Sequence, residues 1–153
     1  EDLREGLPGV PLRLLLRVRD RACRPLQGAR VDLWHTDALG RYSGVNAPGT
    51  FCRGGQATDE RGEVAFLPLF PGWYPSRTPH LHLRVEAGGR VFATRLFFPE
   101  EVQRQVYALP PYRERGMPRV NNRQDGLFRA DLLLRLEREG EAYRGAFVLT
   151  LPG

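Results

Sequence analysis

Two histidines stand one residue apart in the segment His80-Leu81-His82. In a β-strand, side chains at positions i and i+2 point to the same face, so both imidazoles would lie on one side of a sheet, close enough to share a metal ion. The same pattern also describes two half-buried histidines whose ring nitrogens hydrogen-bond to the backbone. Carboxylates, which often complete a metal site, do not stand beside them on that face. The spacing alone therefore defines only a candidate site.

Two tyrosines are the nearest further ligand candidates: Tyr42, in Gly40-Arg41-Tyr42-Ser43, and Tyr74, in Pro71-Gly72-Trp73-Tyr74-Pro75. Because a phenol has a pKa of about 10, only a strongly Lewis-acidic ion keeps it deprotonated at neutral pH. Ferric iron is a hard ion that suits an anionic oxygen donor, whereas zinc more often recruits cysteine or a carboxylate. Two tyrosines and two histidines would together point to Fe(III), if the fold brings them together.

The elements that must position these residues are mostly β-strands. Apolar and polar residues alternate with a period of two along most of the chain, and glycine- and proline-containing turns separate the alternating runs. In the second run Val31, Leu33 and His35 share one face, and Asp32 and Trp34 share the other. The predicted strands are 12–18, 30–36, 63–69, 80–85, 90–98, a strand carrying Leu132, Leu134 and Leu136 on one face, and 144–151 as its hairpin partner.

One short helix and one long loop interrupt this pattern. Pro99 and the acidic Glu100 and Glu101 are typical of a first helical turn, and Val102 and Val106 follow at i and i+4. Residues 108–126 are rich in proline, asparagine and arginine, and predict a loop long enough to cover a functional site. The sequence therefore predicts an all-β fold: a single domain over residues 1–153, a β-sandwich of about eight strands, with one short helix and a long loop in the C-terminal half.

Three segments resemble the intradiol ring-cleavage dioxygenases, the family of catechol and protocatechuate dioxygenases. The first is residues 28–43, Gly-Ala-Arg-Val-Asp-Leu-Trp-His-Thr-Asp-Ala-Leu-Gly-Arg-Tyr-Ser; the others are residues 56–66 and 71–82. The combination of Tyr42, then Gly72-x-Tyr74-Pro75, then Arg77-x-x-His80-x-His82 is specific. The segments cover about a third of the chain, and their order and spacing match the family from residue 10 to near residue 98. The compact pattern is most similar to the short, often exported members.

The resemblance implies an enzyme with a non-haem Fe(III) ion. Its ligands would be Tyr42, Tyr74, His80 and His82, and Arg77 would lie beside a bound catechol, where its charge stabilises negative charge on the ring. The implied reaction is cleavage of a catechol by O2 between its hydroxyl-bearing carbons, which gives a muconate-type diacid. In the family the tyrosine of the Gly-x-Tyr-Pro segment leaves the metal when substrate binds, which would give Tyr74 a catalytic role. The expected partners are a small-molecule catechol and O2.

The sequence also departs from the family pattern. Arg95 stands where the family usually has glutamine, and a second cation there would either favour an acidic substrate or fill the pocket. Trp73, beside Tyr74, is either a core aromatic or a wall of the substrate pocket. The family often has a histidine at the position of His35 without using it as a ligand, so a structural role is expected for that residue. The resemblance does not identify the catechol.

A second class of function remains open. Non-enzymatic β-sandwich binding modules of the prealbumin-like kind share the motifs at 28–33, 58–66 and 71–74, because these motifs encode turns. The arginine and histidines of Arg77-x-x-His80-x-His82 and the tyrosine of Gly40-Arg41-Tyr42 are not needed for a turn. These residues favour the enzyme.

Composition excludes several other classes. All 23 basic residues are arginine, and the absence of lysine rules out a Walker A phosphate loop and a Schiff-base mechanism. The net charge is +5, but the arginines are spread along the chain, which disfavours nucleic-acid binding. No apolar run approaches the roughly 20 residues of a membrane helix, so a membrane partner is not expected. A homo-oligomer is compatible with the sequence.

Cys23 and Cys52 are the only cysteines, and their spacing fits no zinc knuckle. We predict a disulfide between them, with two buried free thiols as the alternative. The chain does not begin with methionine, so a leader could have been removed upstream. Export is slightly favoured over a cytoplasmic location, and the sequence does not settle the compartment.

Overall fold

The computed structural model describes residues 1–152 and contains two four-stranded sheets. Its elements, in chain order, are β1 (Leu12–Arg19), β2 (Arg30–Trp34), β3 (Arg53–Ala57), β4 (Glu63–Phe66), β5 (His80–Ala87), β6 (Arg90–Phe97), α1 (Glu100–Tyr107), short 3-10 turns at Asn122–Gln124 and Ala130–Leu132, β7 (Leu136–Glu139) and β8 (Ala142–Thr150). The prediction of an all-β sandwich with one short helix is confirmed.

The two sheets enclose the core between their inner faces. The first sheet has the strand order β4-β1-β8-β7, and the second has the order β3-β2-β5-β6. β1 alternates buried apolar residues with outward-facing ones, as its period of two predicts: Leu12, Leu14, Leu16 and Val18 are buried, whereas Arg13, Leu15 and Arg17 are exposed. From the second sheet, Val31, Leu33, Leu81, Leu83 and Val85 enter the same core. The face of the second sheet that points away from this core, called the outer face below, carries the intervening residues of β2, β5 and β6.

β3 is a strand that the sequence pattern did not predict. Its residues Gly54 and Gly55 interrupt any apolar alternation, and glycine is depleted in strands. The structure shows why glycine stands there. A Cβ at Gly54 would collide with the side chains of Glu1 and Leu3, and one at Gly55 would collide with Asp32 and Arg30. Neighbouring side chains therefore cover this edge strand closely.

One expectation about the C-terminal strands is corrected. The strand expected over Leu132, Leu134 and Leu136 begins only at Leu136, because Ala130–Leu132 forms a 3-10 turn and the Leu134 N–H bonds to the Phe97 carbonyl. The hairpin of β7 with β8 is present, in the register Leu136 to Gly145.

The predicted disulfide is wrong. Cys23 is exposed in the turn after β1, whereas Cys52 is fully buried and its N–H bonds to the Leu3 carbonyl. Both thiols are free. Within residues 1–152, no helix combines the length and apolar character needed to cross a bilayer.

Candidate metal centre

β5 directs His80 and His82 to the outer face of the second sheet. Leu81 and Leu83 alternate with them and fill the core on the opposite face, so the strand cannot turn over without exposing its apolar side. The register places His80 beside Phe97 and His82 between Trp34 and Arg95. The sheet therefore fixes both imidazoles relative to each other.

Two loops bring Tyr42 and Tyr74 over this face, and a glycine two residues before each tyrosine allows them to meet. A Cβ at Gly40 would collide with the Trp73 carbonyl oxygen, and a Cβ at Gly72 would collide with the Ala38 carbonyl oxygen. The two backbones therefore pack directly on each other. The Gly72 N–H also donates to the Asp37 carbonyl at 2.8 Å. The Gly-x-Tyr pattern thus encodes this backbone contact as well as a turn.

The four predicted ligand atoms converge. The Tyr42 hydroxyl lies 3.2 Å from the Tyr74 hydroxyl, 3.4 Å from His80 Nε2 and 2.8 Å from His82 Nε2. His80 Nε2 lies 3.4 Å from the Tyr74 hydroxyl and 3.0 Å from His82 Nε2. Donor atoms that share one ion at about 2.0–2.1 Å lie roughly 3 Å apart. The donor set therefore fits a single metal ion.

The histidines are held in a state suited to metal binding. His80 Nδ1 lies 2.7 Å from the Thr78 carbonyl oxygen, so Nδ1 carries the proton and the Nε2 lone pair points to the other ligands. Burial lowers the pKa of His80 to about 4 and that of His82 to about 3, and nearby positive charge from Arg95 acts in the same direction. Both rings are therefore neutral at neutral pH.

The phenols restrict the kind of ion that this donor set fits. Burial, and then the neighbouring Tyr74 hydroxyl, raise the pKa of Tyr42 well above its usual value. The protein alone therefore keeps this phenol protonated, and a hard, strongly Lewis-acidic cation is needed to make it a ligand. The described residues contain no cluster of three or more histidines, cysteines and carboxylates that would suit zinc or calcium. The chemistry of the donor set fits Fe(III).

Asp125 is a residue of this site that the sequence did not single out. Its Oδ2 accepts hydrogen bonds from Arg77 Nε at 2.7 Å and from the Thr78 N–H at 3.0 Å, and its side chain is completely buried. The long loop predicted to cover a site thus anchors the arginine and, through Thr78, the carbonyl that orients His80. Loop length was the only signal in the sequence for this role.

Replacing Asp125 with Ala should lower the free energy of unfolding by about 3 kcal/mol, because it leaves a largely buried guanidinium and a buried N–H without their acceptor. Burial raises the pKa of Asp125, but the hydrogen bonds from Arg77, Leu127 and Thr78 outweigh it, so the pKa lies below its usual value. The stabilisation should accordingly be present above about pH 4 and lost as the pH falls further. Urea unfolding at pH 7 and pH 3 measures both effects.

The matched control for this prediction is Asp131→Ala. The ion pair of Asp131 with Arg129 is exposed on both sides, so its loss should leave the unfolding midpoint unchanged. Equal unfolding midpoints for Asp125→Ala and the wild-type protein would contradict the assigned role of Asp125.

The structure places the remaining candidate residues as follows. Arg77 and Arg95 lie beside the centre, and each has a buried guanidinium nitrogen without a hydrogen-bond partner in the described part of the chain. Trp73 belongs to the core, where Arg115 covers its ring and the Gly116 carbonyl accepts its N–H, as the core alternative predicts. His35 is buried, and its Nδ1 bonds to the Thr36 carbonyl, which is the structural role expected.

Trp34 is a further neighbour that the sequence did not reveal. Its ring stacks on His82, with the ring centroids 5.0 Å apart and an angle of 4° between the planes. Strand alternation had placed Trp34 opposite the core-facing Val31, Leu33 and His35, but only the pairing of β2 with β5 brings it to His82. The stack restricts rotation of the imidazole and shields it from water.

Comparison with known proteins gives consistent matches. Residues 2–104 match the model of a family described as Dioxygenase. Chlorocatechol 1,2-dioxygenase of Rhodococcus opacus is 29% identical over 119 residues, covering 63% of this chain and 46% of that enzyme. The chain thus spans about half the length of this curated relative.

Solved structures agree over nearly the whole chain. An intradiol ring-cleavage dioxygenase from Tetranychus urticae is similar with a TM-score of 0.91 and 31% identity, covering 98% of this chain and 84% of that one. The dioxygenase domain of a dioxygenase–carbohydrate-binding protein fusion from Streptomyces sp. SirexAA-E has a TM-score of 0.79 and 35% identity, covering 99% of this chain and 86% of that one.

Proposed function

This chain belongs to the intradiol ring-cleavage dioxygenase family, and from that membership we propose that it is a non-haem Fe(III) dioxygenase. Its substrate would be a catechol-type aromatic diol, cleaved between the two hydroxyl-bearing carbons. Both atoms of O2 would enter the product, a muconate-type diacid. The observation that carries the proposal is the convergence of two phenol oxygens and two imidazole nitrogens on one face of a sheet, where each atom lies within 3.4 Å of at least two of the others.

Tyr42, Tyr74, His80 and His82 would hold the ion. When bound, Fe(III) would bind the catechol oxygens and withdraw electron density from the ring. The two histidines contribute neutral donors, because their pKa values lie far below neutrality. The tyrosines contribute the anionic oxygens that stabilise the ferric state.

Tyr74 is the residue best placed to move a proton. It lies in a loop between Pro71 and Pro75, outside the regular strands. In contrast, the Tyr42 N–H is bound by the Asn46 side chain at 2.7 Å, and its carbonyl accepts three N–H groups of the following turn. The Tyr74 oxygen would accept a proton from a catechol hydroxyl while Tyr42 stays in place.

Arg77 supplies a fixed positive charge beside the ring. Its Nε is held by Asp125, and its buried Nη2 has no acceptor among residues 1–152. An unpaired buried donor beside the centre is free to bond an oxygen that gains negative charge during the reaction. Asp125 fixes the orientation of the guanidinium before substrate arrives.

The binding-module alternative accounts for less of the structure. A non-enzymatic sandwich would explain the turns at Gly40 and Gly72. It requires neither the convergence of four donor atoms nor the Asp125–Arg77 pair behind them. An enzyme of the proposed kind accounts for the turns, the four converging donor atoms and the Asp125–Arg77 pair.

Ring cleavage under ¹⁸O2 tests the proposal. Ferric-loaded protein mixed with catechol should give a ring-opened diacid that carries both labelled atoms, while metal-free protein should give none. Mass spectrometry of the product reads this directly. A product with one labelled atom, or an extradiol aldehyde product, would contradict the proposal.

A further inference from the structure

One row of side chains crosses the outer face of the second sheet at the metal centre. Trp34 is the register partner of both Arg53 and His82, and His82 is the register partner of Arg95. Side chains directly opposite each other on one face have Cβ atoms about 5 Å apart. His82 is therefore flanked by Trp34 and Arg95, with a second arginine one strand beyond Trp34.

Arg95 has no carboxylate partner within ion-pair distance among residues 1–152, and its Nε is buried without a hydrogen-bond acceptor. Arg84, on the same outer face but on the neighbouring strand β5, differs: it lies 3.6 Å from Asp32 and 3.4 Å from Glu86. Arg77 is paired with Asp125. The charge of Arg95, which lies directly opposite His82, is therefore not neutralised at contact distance by any carboxylate of residues 1–152.

Arg53 adds to the positive field. Its Nε bonds to the Ser43 carbonyl at 3.0 Å, a neutral acceptor, and no carboxylate of residues 1–152 pairs with it. Arg53 and Arg95 therefore both bring positive charge to this face without a contacting carboxylate among residues 1–152.

We propose that Arg95 forms a subsite for an acidic substituent of the catechol, such as a ring carboxylate. A guanidinium binds a carboxylate through two parallel N–H bonds, and the unpaired Nε–H of Arg95 is one of the two donors that this geometry uses. The subsite lies on the strand next to that of His82, directly opposite this candidate ligand. Arg53, on the other side of Trp34, strengthens the preference at longer range. This inference rests on the proposed function.

Anaerobic titration of the ferric protein tests the subsite. The probes are 3,4-dihydroxybenzoate and the neutral, similarly shaped 4-methylcatechol, and the readout is the Kd from the change in visible absorption without turnover. We expect the wild-type protein to favour the acid at least tenfold, since a hydrogen bond to a charged group contributes about 1.5–3 kcal/mol. Arg95→Gln should lose this preference by weakening the acid alone, and Arg95→Lys should keep part of it.

Arg84→Gln is the matched control, because it removes an arginine from the same face of β5 whose charge is already paired. It should keep the wild-type ratio of the two Kd values. Equal affinities in the wild-type protein, or an unchanged ratio in Arg95→Gln, would overturn the proposal. Tighter binding of both probes to Arg95→Gln would also overturn it, because it would show that Arg95 only fills the pocket.

Failure of the proposed function can be distinguished from failure of the subsite. A protein that shows no iron-dependent colour or cleaves no ring would refute the dioxygenase, and binding of the acid at Arg95 would then be measured without metal. Calorimetric titration of metal-free wild-type protein and metal-free Arg95→Gln with 3,4-dihydroxybenzoate then decides. Weaker binding to the variant supports the subsite, and equal binding refutes it.

Discussion

His80→Ala should lose ferric iron and the accompanying colour while keeping the fold. The substitution removes a donor atom that lies 3.0–3.4 Å from the three other candidate ligand atoms. We expect metal affinity to fall at least about a hundredfold, since even changes behind a ligand cost ten- to a hundredfold. The sandwich should persist because the neighbouring core residue Leu81 points to the opposite face. Iron per chain by elemental analysis, with circular dichroism for the fold, measures both.

Tyr42→Phe should behave in the same way as His80→Ala, since it removes the phenol oxygen at 2.8 Å from His82 Nε2. His35→Asn is the matched control, because it changes the one histidine outside the centre and can keep a hydrogen bond to the Thr36 carbonyl. This control should keep its iron. Full iron and colour in both His80→Ala and Tyr42→Phe would show that the ligands are other residues.

Tyr74→Phe should keep part of the iron yet lose most turnover. Three candidate ligands remain in this variant, two of them on β5, so the centre is weakened less than by loss of a strand-borne histidine. The Tyr74 oxygen, which would take up a catechol proton, is absent. General-base catalysis typically contributes 10²–10⁴-fold, so we expect kcat to fall by about that factor.

Oxygen consumption and anaerobic stopped-flow binding of catechol separate the two effects of Tyr74→Phe. Catechol binding should be slowed as well as turnover. Tyr143→Phe serves as the control, because its hydroxyl bonds to Gln105 away from the centre and its loss should leave both rates unchanged. Binding and turnover of Tyr74→Phe at the wild-type rates would remove Tyr74 from the mechanism.

The part of the fold that follows from alternation could be predicted from the sequence. β1 and β5 have clear two-residue periods, and the acidic start of α1 matches its first turn. β3 could not be predicted, because Gly54 is required by the close packing of the Glu1 and Leu3 side chains, which are distant in sequence. The absent disulfide was equally invisible, since only the fold shows Cys52 buried and Cys23 exposed.

The candidate metal centre also contains residues that the sequence could predict and residues that it could not. His80 and His82 were recognisable because a strand places i and i+2 on one face, and the glycine before each tyrosine marked the loops. Strand pairing brings Trp34 to the site, and loop packing brings Asp125 there. Neither contact can be recognised from the sequence around these two residues. The unpaired state of Arg95 depends on where every carboxylate of the fold lies, so the sequence could name the residue without showing its charge to be uncompensated.

The iron content and visible spectrum of the wild-type protein test the central claim most directly. If two tyrosines and two histidines hold one ion, ferric-loaded protein should contain about one iron per chain and be reddish from tyrosinate-to-iron charge transfer. A colourless protein that takes up no stoichiometric iron after ferric loading would contradict the account.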